Sequence, residues 1–355
     1  MYEEWNMTIR EQGMDLLGSL FDELFLAPVK ILRPIRPRRD IDRASFEREL
    51  DYYIDHGYVD KPETFFTLPG RLPEYRISRQ AQPAYELITY TSGYEVRNPF
   101  IRERFHSYTA NQSGYLVLWR HGDRGRKTVL CAHGFMLGDP MQAYRMFRVR
   151  KLFEMGLDVA LFIHPFHYRR APGSRASSRL YLQPDDVGFM SECIGQSVYD
   201  LGNALAILKD QGAGEIGIIG ASLGGYAAAA FIGISGAPSF AALMVPAVNF
   251  MRPLGPEGLP MRFPVDVVLA EKIRKVCEMT SPLNLRPRIP ADNILVVTSR
   301  GDRVCPFESV RMLCEQWGLS RCHFRTGGHW LVFDDTRGMA WYSFLKDMGF
   351  ITPGH

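Results

Sequence analysis

From about residue 128 onward, short apolar runs alternate with stretches whose apolar positions recur at helical spacing. The runs are Thr128–Ala132, Asp158–Ile163, Glu215–Ile219, Phe240–Val245, Ile294–Thr298 and Arg321–Phe324. The helical stretches include Met141–Met155, Ser191–Gln211, Leu223–Ile234, Glu308–Trp317 and Met339–Met348. Continuous apolar runs suit strands buried on both faces. The alternation therefore predicts an α/β fold: a mostly parallel central sheet covered by helices on both faces. Right-handed crossovers gather the carboxyl ends of such strands at one edge, where ligands bind.

Upstream the pattern changes. Tyr85–Val96 and Arg104–Arg120 read as extended, with turns at Gly93 and over Asn111–Gly114. Residues 1–82 read as a helical N-terminal extension. In Gly13–Ile31 the apolar residues Met14, Leu17, Phe21, Leu24 and Phe25 recur at helical spacing, and Pro28 is expected to interrupt the helix near its end. A second helix is expected over Arg43–His56, with Asp42 as its N-cap. The apolar stripe needs a cover. It is expected to pack on residues 83–355 and help wall the active-site entrance, or to meet a second copy of the chain as a homo-oligomer. Docking on an anionic membrane, with Lys30, Arg33, Arg36, Arg38 and Arg39 beside it, is the alternative.

Composition narrows the class only slightly. A chain of 355 residues permits one large domain with an appendage, or two domains. Forty-two basic against 39 acidic residues leave a net charge of +3, which argues for no nucleic-acid partner. The six cysteines form no CxxC pair and no zinc-site spacing, so no metal and no cofactor are expected. They read as free thiols of a reducing compartment. The N-terminus has no leader-like basic start and apolar segment, and no apolar run reaches bilayer length, so a cytoplasmic location is expected.

Four segments carry chemistry. Gly220–Gly225 (GASLGG) follows an apolar strand and opens a helix of small residues. In that context a G-x-S-x-G turn lifts the Ser222 hydroxyl above the sheet edge, and glycines at 220 and 224 leave room for it. The competing reading is an ordinary Gly-rich turn in which Ser222 only caps a helix. His133–Phe135 follows the strand Thr128–Leu130. Acyl transfer needs two amides aimed at an oxyanion, for which Leu223 and Phe135 are the candidates, with His133 supporting the turn. Asp302, within Ser299–Pro306, stands at a strand's carboxyl end; a surface turn aspartate is the competing reading. The other position that can hold such an acid, Pro246–Arg252, has no carboxylate. His329 follows the glycine pair 327–328 after the last strand. The chain order Ser222, Asp302, His329 is that of a nucleophile, acid and base on this kind of sheet.

From about Lys127 to Gly349 the chain resembles the α/β-hydrolases, through HGF at 133–135, GASLGG at 220–225, RGDRVCP at 300–306 and GGHW at 327–330. More loosely, His164–Arg170 and GASLGG resemble the branch typed by α/β-hydrolase domain-containing protein eighteen. The resemblance implies a catalytic domain over 83–355 with a short lid within 251–290. It implies Ser222 as nucleophile, His329 as general base, Asp302 as orienting acid, and Phe135 and Leu223 as the oxyanion hole. Met136, His164, Phe166, His167 and Trp330 are candidate substrate-binding residues, with Met190 adding to an apolar pocket. Arg169, Arg170, Arg175 and Arg179 can receive an anionic group or simply form a solvated basic loop. The activity implied is a carboxylic-ester hydrolase acting on a small-molecule ester. A peptidase or amidase, an acyltransferase, and a non-catalytic binding protein on the same fold are the alternatives.

Overall fold

Strands covered on both faces have no solvent side to which a polar residue can point, and the central strands obey this. Every residue of β4 (Thr128–Ala132), β5 (Asp158–Phe162) and β8 (Ile294–Ser299) is buried in the computed structural model of the chain. The structure describes residues 9–32, 40–81, 84–173, 175–183, 185–249, 261, 263–330 and 337–352. With β1 (Tyr75–Ala81), β2 (Ala84–Thr91), β3 (Ser113–Trp119), β6 (Ile216–Ala221), β7 (Ala241–Met244) and β9 (Cys322–Arg325), these form a nine-stranded sheet in the order β1-β2-β3-β5-β4-β6-β7-β8-β9. β1, β2 and β3 pair antiparallel, and β3 joins β5 the same way. From β5 to β9 every pairing is parallel. The predicted mostly parallel α/β sheet is present.

The period-two alternation of a strand divides the core into two layers. Leu130, Ala160, Ile216 and Ile218 face α6 (Val187–Asp210) and α7 (Leu223–Ile234), meeting Val198, Leu201, Ala227 and Phe231. Val129, Cys131, Val159 and Ile219 face the other way. They meet Leu152 of α5 (Val149–Glu154) and Phe344 and Leu345 of α10 (Arg337–Asp347). The sheet edge that ends β4, β6 and β8 is left for the loops.

Several sequence expectations shift. Arg104–Arg120 is not extended throughout. Asn98 caps α3 (Pro99–His106), its side chain accepting from Phe100 N at 3.1 Å with Pro99 in the first turn, and β3 starts only at Ser113. Met141–Met155 splits into α4 (Pro140–Met146) and α5, because Arg148 between them adopts left-handed backbone, φ 49°. α1 (Ile9–Leu32) runs through Pro28 rather than ending near it. α2 (Arg43–Asp55) matches its expected span, and Asp42 caps it by accepting from Ser45 N at 2.9 Å.

Residues 1–82 are not all helical. β1 lies in the sheet, so the division expected near residue 82 falls between two strands that pair as a hairpin, Ala81 opposite Ala84. α2 buries Phe46, Leu50 and Tyr53 in the same core as α6. There the buried Glu192 accepts from the Tyr53 and Tyr94 hydroxyls and from the amides of Arg97 and Asn98. Within the segment expected to form a lid, 251–260 and 262 lie outside the described residues. Its described part contains α8 (Val267–Met279), which packs on α2 and α6 and pairs Lys272 with Asp51 at 2.7 Å, and a 3-10 turn over Pro282–Asn284. Among the described residues, no helix is long and apolar enough to cross a membrane. None of the six cysteines is in a disulfide.

Candidate active site

Ser222 sits where β6 turns into α7, with φ 54° and ψ −114°, a backbone conformation that costs a non-glycine residue about 1–3 kcal/mol. Neighbouring elements hold it there. Ser222 N donates to Met244 O at 3.0 Å, and Ser222 O accepts from Ala247 N at 3.1 Å. The turn needs glycine on both sides for steric reasons. A Cβ on Gly220 would lie 2.3 Å from Gly224 O, and one on Gly224 would lie 2.0 Å from Ala132 O. The close passage of β6 beside β4, with Ala132 opposite Gly220, also carries the 133–135 turn up to Ser222. A Cβ on Gly134 would stand 3.5 Å from Ser222 Cβ. Leu223 opens α7, so its amide has no intrahelical acceptor.

Asp302 and His329 meet because β8 and β9 keep pairing beyond their ends. Arg300 N donates to Arg325 O and Gly301 N to Gly327 O, each at 2.9 Å. His329 Nδ1 then lies 2.8 Å from Asp302 Oδ2, with both side chains buried. The other oxygen, Oδ1, accepts from Val304 N at 2.9 Å and Cys305 N at 2.7 Å. Both carboxylate oxygens are thus engaged, Oδ1 by its own turn and Oδ2 by the imidazole.

Cys305, not singled out in the sequence, completes the cluster. Its Sγ lies 3.8 Å from Ser222 Oγ, and the thiol also contacts His329. Burial pushes the thiol's pKa up, so it is a neutral group at neutral pH. Burial also opposes a charged His329, but the neighbouring Cys305 and the Asp302 carboxylate outweigh it and hold the imidazole well above its ordinary range. Because Cys305 is neutral, the Asp302 carboxylate is the charge responsible.

The remaining expected residues separate. Met136 is half-buried beside the 133–135 turn, with φ 62°, and the half-buried Phe135 packs on the core. Trp330 is 40% exposed, its ring edge-on to His329 at 5.1 Å. His164, Phe166 and His167 are fully buried and line no open substrate wall. His164 Nδ1 lies 3.3 Å from Ser197 Oγ, His167 Nδ1 lies 2.8 Å from Pro165 O, and Phe166 packs edge-on to Phe105 at 5.5 Å. Met190 is also core. His133 supports its turn: Nδ1 lies 2.7 Å from Gly134 O, Nε2 accepts from His164 N at 3.2 Å, and burial pushes its pKa down to about 4. Arg170 is a core residue paired with Asp200 at 2.8 Å, not an anion receptor, because full burial leaves it no access to a ligand. Arg169 lies over the Tyr168 ring, and the Arg175 side chain lies outside the described residues. A surface cavity of about 670 Å³ lined by Tyr85, Trp119, Tyr144 and Phe153 contains none of Ser222, Asp302 or His329.

The face that α1 turns inward also departs from expectation. Leu16, Leu17 and Leu20 are exposed, whereas Gly18, Ser19 and Asp22 are buried against the loops that carry Asp302 and His329. The side chains of Phe21, Leu24 and Phe25 lie outside the described residues. The signal was in the sequence: Asp15, Gly18, Ser19 and Asp22 share helical spacing on a small, polar face.

No family model matches the chain. Its fold is that of acetyl xylan esterase 1 from Thermoanaerobacterium sp. JW/SL YS485 (TM-score 0.55, 12% identity, 98% of this chain and 100% of that one). It is also that of an acetyl xylan esterase from Paenibacillus sp. R4 (TM-score 0.55, 15% identity, 89% and 97%). In sequence, the chain is 31% identical over 322 residues to the uncharacterized proteins MT2702 and Rv2627c of two Mycobacterium tuberculosis strains, CDC 1551 / Oshkosh and ATCC 25618 / H37Rv. The match spans 87% of this chain and 76% of each relative. With the α/β-hydrolase sheet already described, the chain belongs to the family of MT2702 and Rv2627c.

Proposed function

We propose that the chain is a serine hydrolase that cleaves a carboxylic ester of a small to medium apolar acyl group through an acyl-enzyme on Ser222. The observation that carries this reading is the 2.8 Å contact between His329 Nδ1 and Asp302 Oδ2, beside the strained Ser222 turn at the carboxyl edge of the sheet. Ser222 Oγ attacks the ester carbonyl while His329 takes its proton. Asp302 fixes the imidazole tautomer and stabilises the imidazolium. The Leu223 and Phe135 amides hold the oxyanion. His329 then protonates the departing alcohol, and water repeats the sequence to release the acid. Met136 and Trp330 are the candidate walls for the acyl group. The narrower likeness to the branch typed by α/β-hydrolase domain-containing protein eighteen rests on GASLGG and on a His164–Arg170 segment that serves the core. Cysteines outside any disulfide support a reducing compartment such as the cytoplasm.

The test is a panel of p-nitrophenyl esters and amides of graded chain length on wild type and Ser222→Ala, with fluorophosphonate labelling of both. The panel begins at acetate because the two fold neighbours are acetyl xylan esterases. Ester turnover and labelling that Ser222→Ala abolishes are expected. A folded wild type that neither turns over nor labels overturns the proposal in favour of a binding protein, and faster amide than ester cleavage overturns the choice of substrate.

A further inference from the structure

α1 lies against the two loops that carry Asp302 and His329, and does so backbone to backbone. A Cβ on Gly18 would lie 2.1 Å from Gly328 N, one on Gly328 would lie 2.4 Å from Gly18 O, and one on Gly301 would lie 2.4 Å from Asp15 O. Around this glycine contact, one helical face supplies polar groups to loop atoms. Asp15 Oδ1 accepts from Gly327 N at 2.8 Å, and the Ser19 hydroxyl reaches Gly301 O at 2.8 Å. Asp22 is fully buried. Its Oδ2 accepts from His329 N at 2.7 Å and from Arg303 N at 3.0 Å, and Oδ1 is 3.4 Å from Trp330 N. A single carboxylate oxygen therefore ties the residue after Asp302 to the backbone of His329.

We propose that Asp22 is a positioning residue: by bridging the acid turn and the base turn it sets where His329 stands relative to Asp302 and Ser222, which makes α1 part of the active-site framework. The proposal rests on the reading of Ser222, Asp302 and His329 as a hydrolytic triad. The physics favours such a tie at this place. Gly327 and Gly328 precede His329, and two successive glycines leave a loop free to take many backbone conformations. Amide bonds to a buried carboxylate are charge-assisted and short, so they select one conformation strongly. Rate depends on that selection, since a 1 Å displacement of a reacting group can cost about 10²-fold.

The experiment compares full-length wild type, Asp22→Asn and Asp22→Ala by kcat and KM on p-nitrophenyl butyrate, by melting temperature, and by the downfield proton resonance of the Asp302–His329 hydrogen bond. In Asp22→Ala kcat is expected to fall about 10²-fold while KM stays within about twofold, and the resonance shifts or broadens in a chain that remains folded. Asp22→Asn retains a carbonyl oxygen that can accept from both amides but carries no charge, so it falls between wild type and Asp22→Ala. Wild-type kcat in folded Asp22→Ala overturns the proposal, as does a loss carried by KM alone. Should Asp22→Ala unfold, Asp22→Asn decides in its place: full kcat overturns the proposal and an isolated kcat loss supports it. If wild type itself neither hydrolyses esters nor labels with a fluorophosphonate, the hydrolase reading fails separately. The resonance then decides, unchanged in the variant against a role for Asp22 and displaced in favour of it.

Discussion

Asp302 offers its two oxygens to two different tasks: Oδ2 faces His329 Nδ1 at 2.8 Å, while Oδ1 is held by the Val304 and Cys305 amides. The second task makes the first reliable, because a carboxylate pinned by its own turn cannot rotate away from the imidazole. Asp302→Asn is expected to preserve the fold, since the amide is isosteric, and to lower kcat about 10³–10⁴-fold by presenting His329 with the wrong tautomer. Steady-state kinetics on any ester that wild type hydrolyses checks this. A loss below about tenfold would mean that another group orients His329.

The same contact sets the pH dependence. A general base works when neutral, so in the proposed role of His329 activity rises as pH passes through its pKa. The Asp302 carboxylate favours the imidazolium and, against the cost of burial, holds that pKa above 6.5, the ordinary histidine value. The ascending limb of kcat/KM for wild type is therefore expected above pH 6.5. In Asp302→Asn the carboxylate charge is gone while the cost of burial stays, so the residual activity has its limb at lower pH than wild type. A limb that stays in place would remove Asp302 as the cause.

Ser222→Ala is expected to cut kcat roughly 10⁴–10⁶-fold, leaving only what the oxyanion amides and binding contribute. Because alanine at φ 54° is no less strained than serine, the variant should fold as wild type does, with no gain from relief of the turn. Circular dichroism together with fluorophosphonate labelling separates a missing nucleophile from a missing fold. More than about a tenth of wild-type activity in the variant would show that another residue attacks.

Cys305 provides a control for that assignment. It stands 3.8 Å from Ser222 Oγ and touches His329, so proximity alone allows it to be read as the nucleophile. Burial raises its pKa, and a buried neutral thiol is inert. Cys305→Ala is expected to keep kcat within about tenfold of wild type, and iodoacetamide to leave native activity intact. Loss of activity as large as that of Ser222→Ala would reverse the two roles.

What the sequence made legible was whatever depends on local pattern. The six runs from residue 128 onward are strands, and Ser222, Asp302 and His329 lie at the ends of β6, β8 and β9, because alternation and G-x-S-x-G are local signals. What it concealed depends on packing across the chain. His164 and His167 stand on the loop after β5, close in sequence to the right sheet edge, yet they fold inward onto Ser197 and Pro165. The apolar stripe of α1 suggested which face is buried, but Leu17 is 56% exposed and the helix docks through Gly18 and Asp22. Hydrophobicity cannot reveal that choice, because among the described residues the docking contact is made of glycine backbones and amide-to-carboxylate hydrogen bonds.

That contact can be opened without touching a polar group. Gly18→Ala places a methyl carbon 2.1 Å from Gly328 N, against backbone on both sides, so no flexible side chain can yield and α1 must move away from the base loop. Overpacking of this kind costs about 1–3 kcal/mol where the surroundings cannot relax. Among the described residues, none of α1 belongs to the two core layers of the nine-stranded sheet, and Leu16, Leu17 and Leu20 face outward. The cost should therefore appear as displacement of the helix rather than as loss of the fold. The expected variant keeps its far-ultraviolet circular dichroism, shows faster hydrogen exchange at the amides of Arg303, Gly327 and His329, and loses kcat in the same direction as Asp22→Ala. Gly18→Ala with wild-type exchange at those amides and wild-type kcat would show that the close approach of helix and loop is not what holds His329.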